Sequence, residues 1–250
     1  MSSPLLLVDA GNTRIKWATA SMQGPIRVAG DFATKDITIG QVQSLAKKFP
    51  KHRVVLASVV PKLVPVFRRA FARRIEVISG LSPMLGLRFD YPKSAELGAD
   101  RIAAAVAVEA EGTWPAIIVS CGTATAFTVL DNKGRLCGGV IAPGLETQLA
   151  SLIGATAQLP NTALRSPARS LARSTQEAIR AGVMFNFQGG VKEIIRRLGA
   201  EIPGGSPPQI VLTGGHAHHL AMVLDGPATL RPLLVFEGLR IIGIRAFKET

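Results

Sequence analysis

The chain opens with an apolar run, LLLVDA at residues 5–10, that ends on a carboxylate, with Gly11-Asn12 as a turn signal directly behind it. A run of this length bounded by turn residues predicts a buried strand. Arg14 to Ala20 resumes an extended pattern, Gly24-Pro25 turns again, and Ile26 to Phe32 reads as a third strand. Gln41 to Phe49 predicts a helix and Arg53 to Val60 a β-rich run. Pro61 can start a basic amphipathic helix continuing to Arg74, with a short strand over 74–79 behind it. The alanine-rich ADRIAAAVAVEA, Ala99 to Ala110, predicts a helix that Gly112 stops. Ala116 to Val119 begins a new buried strand, Gly122-Thr123 turns it, and Ala126 to Leu130 carries it back. After Asp131-Asn132-Lys133-Gly134, Leu136 to Ile141 supplies another strand before Pro143-Gly144.

Further along, the Pro-, Ser- and Arg-rich stretch Thr156 to Ser174 predicts a loop. Ser174-Thr175-Gln176-Glu177 has the form of a capping box, leading into a helix toward Gln188 that resumes from Val191 to Leu198. Ile202 to Pro208 breaks the pattern, and the strand Gln209 to Leu212 ends in Thr213-Gly214-Gly215. An internal repeat runs through this plan. Val8-Asp9-Ala10-Gly11-Asn12-Thr13 parallels Val119-Ser120-Cys121-Gly122-Thr123-Ala124 at an offset of 111 residues, and each copy opens a strand–turn–strand–turn–strand meander. A duplicated α/β architecture follows, with halves at 1–113 and 114–250.

Composition narrows the class. The 250 residues are 47% hydrophobic and 18% charged, the balance of a globular chain rather than a disordered one. No apolar run reaches the length that spans a bilayer. Asp9 follows directly on Met1 to Val8 with no basic region ahead, so the cytoplasm is the expected compartment. Cys121 and Cys137, sixteen residues apart, lack metal-like spacing and read as structural thiols. The net charge of +12 suits nucleic acid, an anionic membrane surface or anionic small molecules. With few aromatics, no zinc spacing and no nucleic-acid-binding motif, a solvated basic face is expected rather than a specific nucleic-acid site.

The glycine-bearing strand tips raise phosphate chemistry. No G-x-x-x-x-G-K-[ST] is present, so a Walker-type loop is excluded. Gly11 can still let backbone amides approach an anion, with Thr13 adding a hydroxyl. Lys16 either assists phosphates or points to solvent. Asp9 repels phosphate but can hold Mg²⁺ through its water shell. A plain hairpin explains residues 9–13 equally well. The second tip, Gly122-Thr123-Ala124-Thr125, changes that balance, because two such tips facing each other across a cleft can grip a nucleotide's phosphate tail. Asp100 stands where a helix begins, so it is either an N-terminal cap or a catalytic carboxylate. Arg101 binds an anionic substrate or forms a surface ion pair. Either Ser174 or Thr175 caps the helix that follows. Glu96 and Glu146 have no paired spacing, and His216, His218 and His219 have no companion Cys or acid in their stretch.

The set D-A-G-N-T-R-I-K, G-A-D-R, C-G-T-A-T-A, G-G-V-I-A-P-G and S-T-Q-E-A-I-R-A-G, from residue 9 to about 182, resembles the type III pantothenate kinases, with T-G-G-H-A at 213–217 as a later match. The resemblance implies an α/β actin-like ATPase fold, with two ribonuclease H-like halves and an interdomain nucleotide cleft. It implies ATP and pantothenate as substrates, Mg²⁺ as cofactor, and a homodimer with the pantothenate pocket near the subunit interface. By this resemblance Asp9, Ala10, Gly11, Asn12, Thr13, Arg14, Ile15 and Lys16 form the first phosphate loop, and Gly122 and Thr123 belong to the second. Gly98, Ala99, Asp100 and Arg101 form the pantothenate-binding stretch, with Asp100 as general base. Tyr91 and Thr175 contact the substrate, and Gly214-Gly215 lie near the adenosine. Many relatives carry a cation-binding aspartate where this chain has Ser120, which puts a K⁺ or NH₄⁺ requirement in doubt. Another small hydroxyl acceptor, or an accessory role in transcription on the same fold, are the competing readings.

Overall fold

The computed structural model describes residues 4–21, 23–204 and 206–247. In chain order its first elements are β1 (Leu5–Ala10), β2 (Arg14–Ala20), β3 (Arg27–Ala33), α1 (Ile39–Lys48), β4 (Arg53–Ser58), α2 (Leu63–Phe71), β5 (Ile75–Val77) and α3 (Ala99–Glu109). There follow β6 (Ala116–Cys121), β7 (Ala124–Leu130), β8 (Leu136–Gly138), β9 (Ile141–Pro143), α4 (Leu145–Gly154) and α5 (Thr175–Glu201). The last are β10 (Gln209–Thr213), α6 (His218–Ala221), β11 (Ala228–Leu230) and α7 (Leu234–Phe247). Two compact units result. One comprises Met1–Thr113, Gly134–Cys137 and Leu233–Thr250; the other comprises Trp114–Lys133 and Gly138–Pro232.

In the first unit the strand order is β3-β2-β1-β4-β5. β1 runs antiparallel to β2 and parallel to β4. Leu5 to Val8 have no exposed surface, because β1 is covered on both faces. Leu6, Val8 and Ala10 join the core with Val42, Leu45, Phe67 and Phe71 of α1 and α2. Alternate residues serve the other face, where a Cβ on Gly243 of α7 would touch Leu5 and Val55. α1 begins with a complete capping box, Thr38 accepting from the Gln41 amide while the Gln41 side chain accepts from the Thr38 amide.

The second unit repeats the plan. Its strands run β11-β10-β6-β7, with β10 parallel to β6 and β7 antiparallel to it, matching β5-β4-β1-β2. The single strand expected over Leu136 to Ile141 divides into β8 and β9, with Val140 bonded through both backbone groups to Phe127. Consecutive Gly138 and Gly139 weaken a continuous strand there. The helix from Thr175 is one element of 27 residues. Among the described residues no helix is long and apolar enough to cross a membrane.

α7 explains the alanine content of α3. Gly238 packs so closely on that helix that an added Cβ would overlap the Ala103 carbonyl. Small side chains on both helices permit this approach, and Ile102 to Val108 are almost wholly buried beneath it. Gly238→Ala is therefore expected to destabilise the chain by about 1–3 kcal/mol, the usual range for overpacking. Urea unfolding would measure it, and an unchanged midpoint would show that the two helices tolerate a wider spacing.

Candidate active site

Within the first unit, the face of β1 that carries Leu5 and Leu7 also carries Asp9, one residue from the strand's end. Asp9 retains some exposure as a residue, but its carboxyl lies deep among protein atoms. Burial above all, and then charge repulsion from Asp100, raise its pKa to about 7, with Lys16 offsetting part of the effect. Lys16 stands directly opposite Asp9 across the β1–β2 pair and Asp31 opposite Lys16 on β3. Lys16 is itself an exposed residue. The Asp9 side chain remains negative only at a cost that a cation would remove.

Asp100 enters from the start of α3. The helix begins with Ala99 and its cap is Gly98, whose backbone is extended, so Asp100 sits one residue inside the first turn and does not cap the helix. Its Oδ1 accepts the Arg101 amide at 2.9 Å. Burial raises the Asp100 pKa, while that amide and the Arg101 guanidinium lower it. Burial lowers the Arg101 pKa, with Asp100 and Tyr91 opposing the change electrostatically. Gly98 matters for a steric reason: a Cβ there would come 2.6 Å from Asp100 Oδ1.

The β1–β2 connection is tight. The Gly11 amide donates to the Arg14 carbonyl at 3.0 Å, so it is engaged within the hairpin rather than offered to an anion. Asn12 and Thr13 occupy the exposed tip, and Arg14 pairs with Asp31. Ala10 and Ile15 are wholly buried, leaving only their backbone for a ligand. Thr34, the residue directly after β3, belongs to none of the motifs. Its hydroxyl donates to the Gly11 carbonyl at 2.7 Å and its amide to the Thr13 carbonyl at 2.9 Å. Nothing in a sequence joins residues so far apart; the β2–β3 register does.

In the second unit, Ser120 occupies in β6 the place that Asp9 occupies in β1, one residue before the strand's end. The Gly122 amide donates to the Ala124 carbonyl at 3.1 Å. The Thr123 carbonyl accepts from the Gly144 amide at 3.0 Å and from the Thr147 hydroxyl at 2.6 Å. A side chain on Gly144 would strike the Gly122 and Thr123 carbonyls. Gly214, at φ +91°, lies against the Cys121 backbone, 2.5 Å from its carbonyl oxygen to an added Cβ. These glycines close around the second tip. Gly144 ends the GGVIAPG motif, a signal that sequence reading held without drawing this contact from it.

Ser174 caps α5, accepting the Glu177 amide at 3.3 Å, so Thr175 takes the first helical position and is exposed. The fold brings an acid from elsewhere in the chain beside the histidine stretch: His216 Nε2 lies 3.5 Å from Glu146 of α4. The His218 and His219 rings are 3.9 Å apart, and burial with both neighbouring histidines lowers the His219 pKa. Among the described residues no three His, Cys, Asp or Glu side chains form a metal-holding group. Cys121 is buried, which pushes its thiol up to about 12, and Cys137 is half-buried. A cavity of about 480 Å³ between α5 and the start of β10 is lined by none of the expected site residues. Its cations are already paired, Lys192 with Asp225 at 3.0 Å and Arg196 with Glu193 at 2.8 Å.

The duplicated α/β plan is that of the actin-like ATPases. A conserved Campylobacter jejuni protein described as a Baf family transcriptional activator superposes with a TM-score of 0.65 at 22% identity, over 98% of this chain and 100% of its own. MreB 5 of Spiroplasma citri bound to AMPPNP does so at 0.55 and 13%, over 100% and 98%. At these identities the likeness is one of fold. The sequence is more specific. The family profile described as type III pantothenate kinase matches residues 5–197. The type III pantothenate kinase of Methylacidiphilum infernorum is 34% identical over 239 residues, 96% of this chain and 88% of its own. That of Dehalococcoides mccartyi strain 195 is 33% identical over 264 residues, 97% and 98%. The chain belongs to the type III pantothenate kinase family.

The Asp9 environment has a pH consequence. With a pKa near 7 when folded against an ordinary 3.8, the unfolded chain releases this proton first, so stability falls as pH rises from about 4 to 7. Without divalent metal, Asp9→Asn should be more stable than the native chain above pH 7, on the order of 2–4 kcal/mol, and about equal to it near pH 4. Parallel melting curves across that range would contradict the burial of this carboxylate.

Proposed function

We propose that this chain transfers the γ-phosphoryl group of ATP to the primary hydroxyl of pantothenate, giving 4′-phosphopantothenate, the first step toward coenzyme A. The observation that carries the reading is the convergence of Asp9 and Asp100 in one desolvated spot, on a chain of this family. Asp100 acts as general base. Its raised pKa keeps it basic enough to accept the hydroxyl proton, and the Arg101 amide fixes one oxygen so that the other can face the substrate. In a loose phosphoryl-transfer transition state that proton leaves late, so placement of Asp100 counts as much as its basicity. Arg101 and Tyr91 flank the base and suit a carboxylate-bearing substrate, and Gly98 and Ala99 bring the backbone close to it. Thr175 offers a hydroxyl at the head of α5.

Residues 9–16 and the tip at Gly122 and Thr123 are assigned to the nucleotide's phosphates. Asp9 fits Mg²⁺: it is a desolvated carboxylate beside a second one, and an ion that keeps most of its waters needs few protein ligands. When bound, the ion would offset phosphate charge. Ser120 is a neutral ligand where an aspartate would bind a monovalent cation, so a dependence on K⁺ or NH₄⁺ is weak or rests on other groups. The chain works in the cytoplasm as a homodimer, for which the exposed Leu152 and Phe185 on the paired helices α4 and α5 offer an apolar face.

Pantothenate-dependent ADP release from Mg-ATP tests the assignment, run with and without K⁺ and NH₄⁺. Asp100→Asn should lose at least about 10²-fold in kcat, with the ATP KM little changed. Gly98→Ala should lower kcat by a smaller factor, because its methyl displaces the Asp100 carboxylate without removing it. A folded sample inactive under every cation condition would falsify the pantothenate kinase reading.

A further inference from the structure

Thr34 holds the tip of the β1–β2 hairpin through two hydrogen bonds. Thr34 is only 6% exposed, and it uses both of its donors on this tip: its hydroxyl on the Gly11 carbonyl at 2.7 Å and its amide on the Thr13 carbonyl at 2.9 Å. A trans peptide is planar, and its carbonyl and amide point in opposite directions. The Gly11 carbonyl shares its peptide with the Asn12 amide, and the Thr13 carbonyl shares its peptide with the Arg14 amide. With both carbonyls drawn toward Thr34, both amides are turned away from it.

We propose that Thr34 is a positioning residue for nucleotide binding, orienting the Asn12 and Arg14 amides toward phosphate by holding the Gly11 and Thr13 carbonyls on the opposite side of the hairpin. The inference rests on the reading of residues 9–16 as a phosphate loop. It also accounts for the Gly11 amide, which is engaged with the Arg14 carbonyl: the donors for an anion lie at the next residues along. The amide half of the clamp belongs to the backbone just after β3, whereas the hydroxyl half depends on the side chain. An apolar residue of the same shape would leave the Gly11 carbonyl without that donor and its peptide free to rotate.

Thr34→Val and Thr34→Ser separate this role from simple packing. Binding of a non-hydrolysable ATP analogue with Mg²⁺, measured by calorimetry, is expected to weaken about tenfold in Thr34→Val and to stay within about twofold of native in Thr34→Ser, which keeps the hydroxyl. The ATP KM should rise in step in Thr34→Val while the pantothenate KM holds. The proposal is overturned if Thr34→Val binds the analogue as the native chain does. It is also overturned if the ATP and pantothenate parameters worsen together in that variant alongside a lowered melting temperature, the mark of general disruption. A folded native chain that does not bind the analogue at all defeats the phosphate-loop reading itself, a result distinct from native binding that Thr34→Val leaves intact.

Discussion

Burial of β1 on both faces is the constraint from which the rest follows. A central strand covered by helices on either side must be apolar at every position, and Leu5 to Val8 satisfy that with no exposed surface. Even-numbered residues meet α1 and α2, and odd-numbered residues meet the layer that holds α7. Asp9 is the next odd position. Its carboxylate is therefore delivered at the end of the strand into protein rather than solvent, where burial and Asp100 both favour the protonated form.

Close backbone approach is the second recurring device, and glycine makes it possible in each case. Gly238 lets α7 settle on α3, and α3 in turn carries Asp100. Gly98 leaves room for the Asp100 carboxylate itself. In the second unit Gly144 and Gly214 pack on the backbone of the tip formed by Cys121, Gly122 and Thr123. Stability and site geometry are linked here, because the same contacts that seal the core set where the functional groups stand.

Duplication gives the two units one plan and different chemistry. The order β5-β4-β1-β2 recurs as β11-β10-β6-β7, and the repeat offset carries Asp9 onto Ser120. One tip presents a charged oxygen and the other a neutral one. The backbone turn that follows is kept in both.

Much of this was legible in the amino-acid order. Short apolar runs closed by turn residues located β1, β2, β6 and β7, since a strand's burial is written directly in local hydrophobicity. The alanine-rich stretch located α3, and the Ser174–Glu177 spacing located the start of α5, because helix propensity and capping act over a few residues. The family motifs pointed to the candidate site residues. Contacts distant along the chain were not legible. Thr34 reaches the hairpin tip only through the β2–β3 register, and Glu146 meets His216 only because α4 and the turn after β10 pack together. Nothing local in α7 says that it joins the unit built from the chain's first residues. Sequence by itself determined strands β1, β2, β6 and β7, helix α3 and the start of α5, and which chemical groups end them, for those depend on neighbours a few residues away. Tertiary structure alone decided which groups share an environment, and so the pKa of Asp9 and the clamp by Thr34, because desolvation and hydrogen bonding depend on what surrounds a group in space.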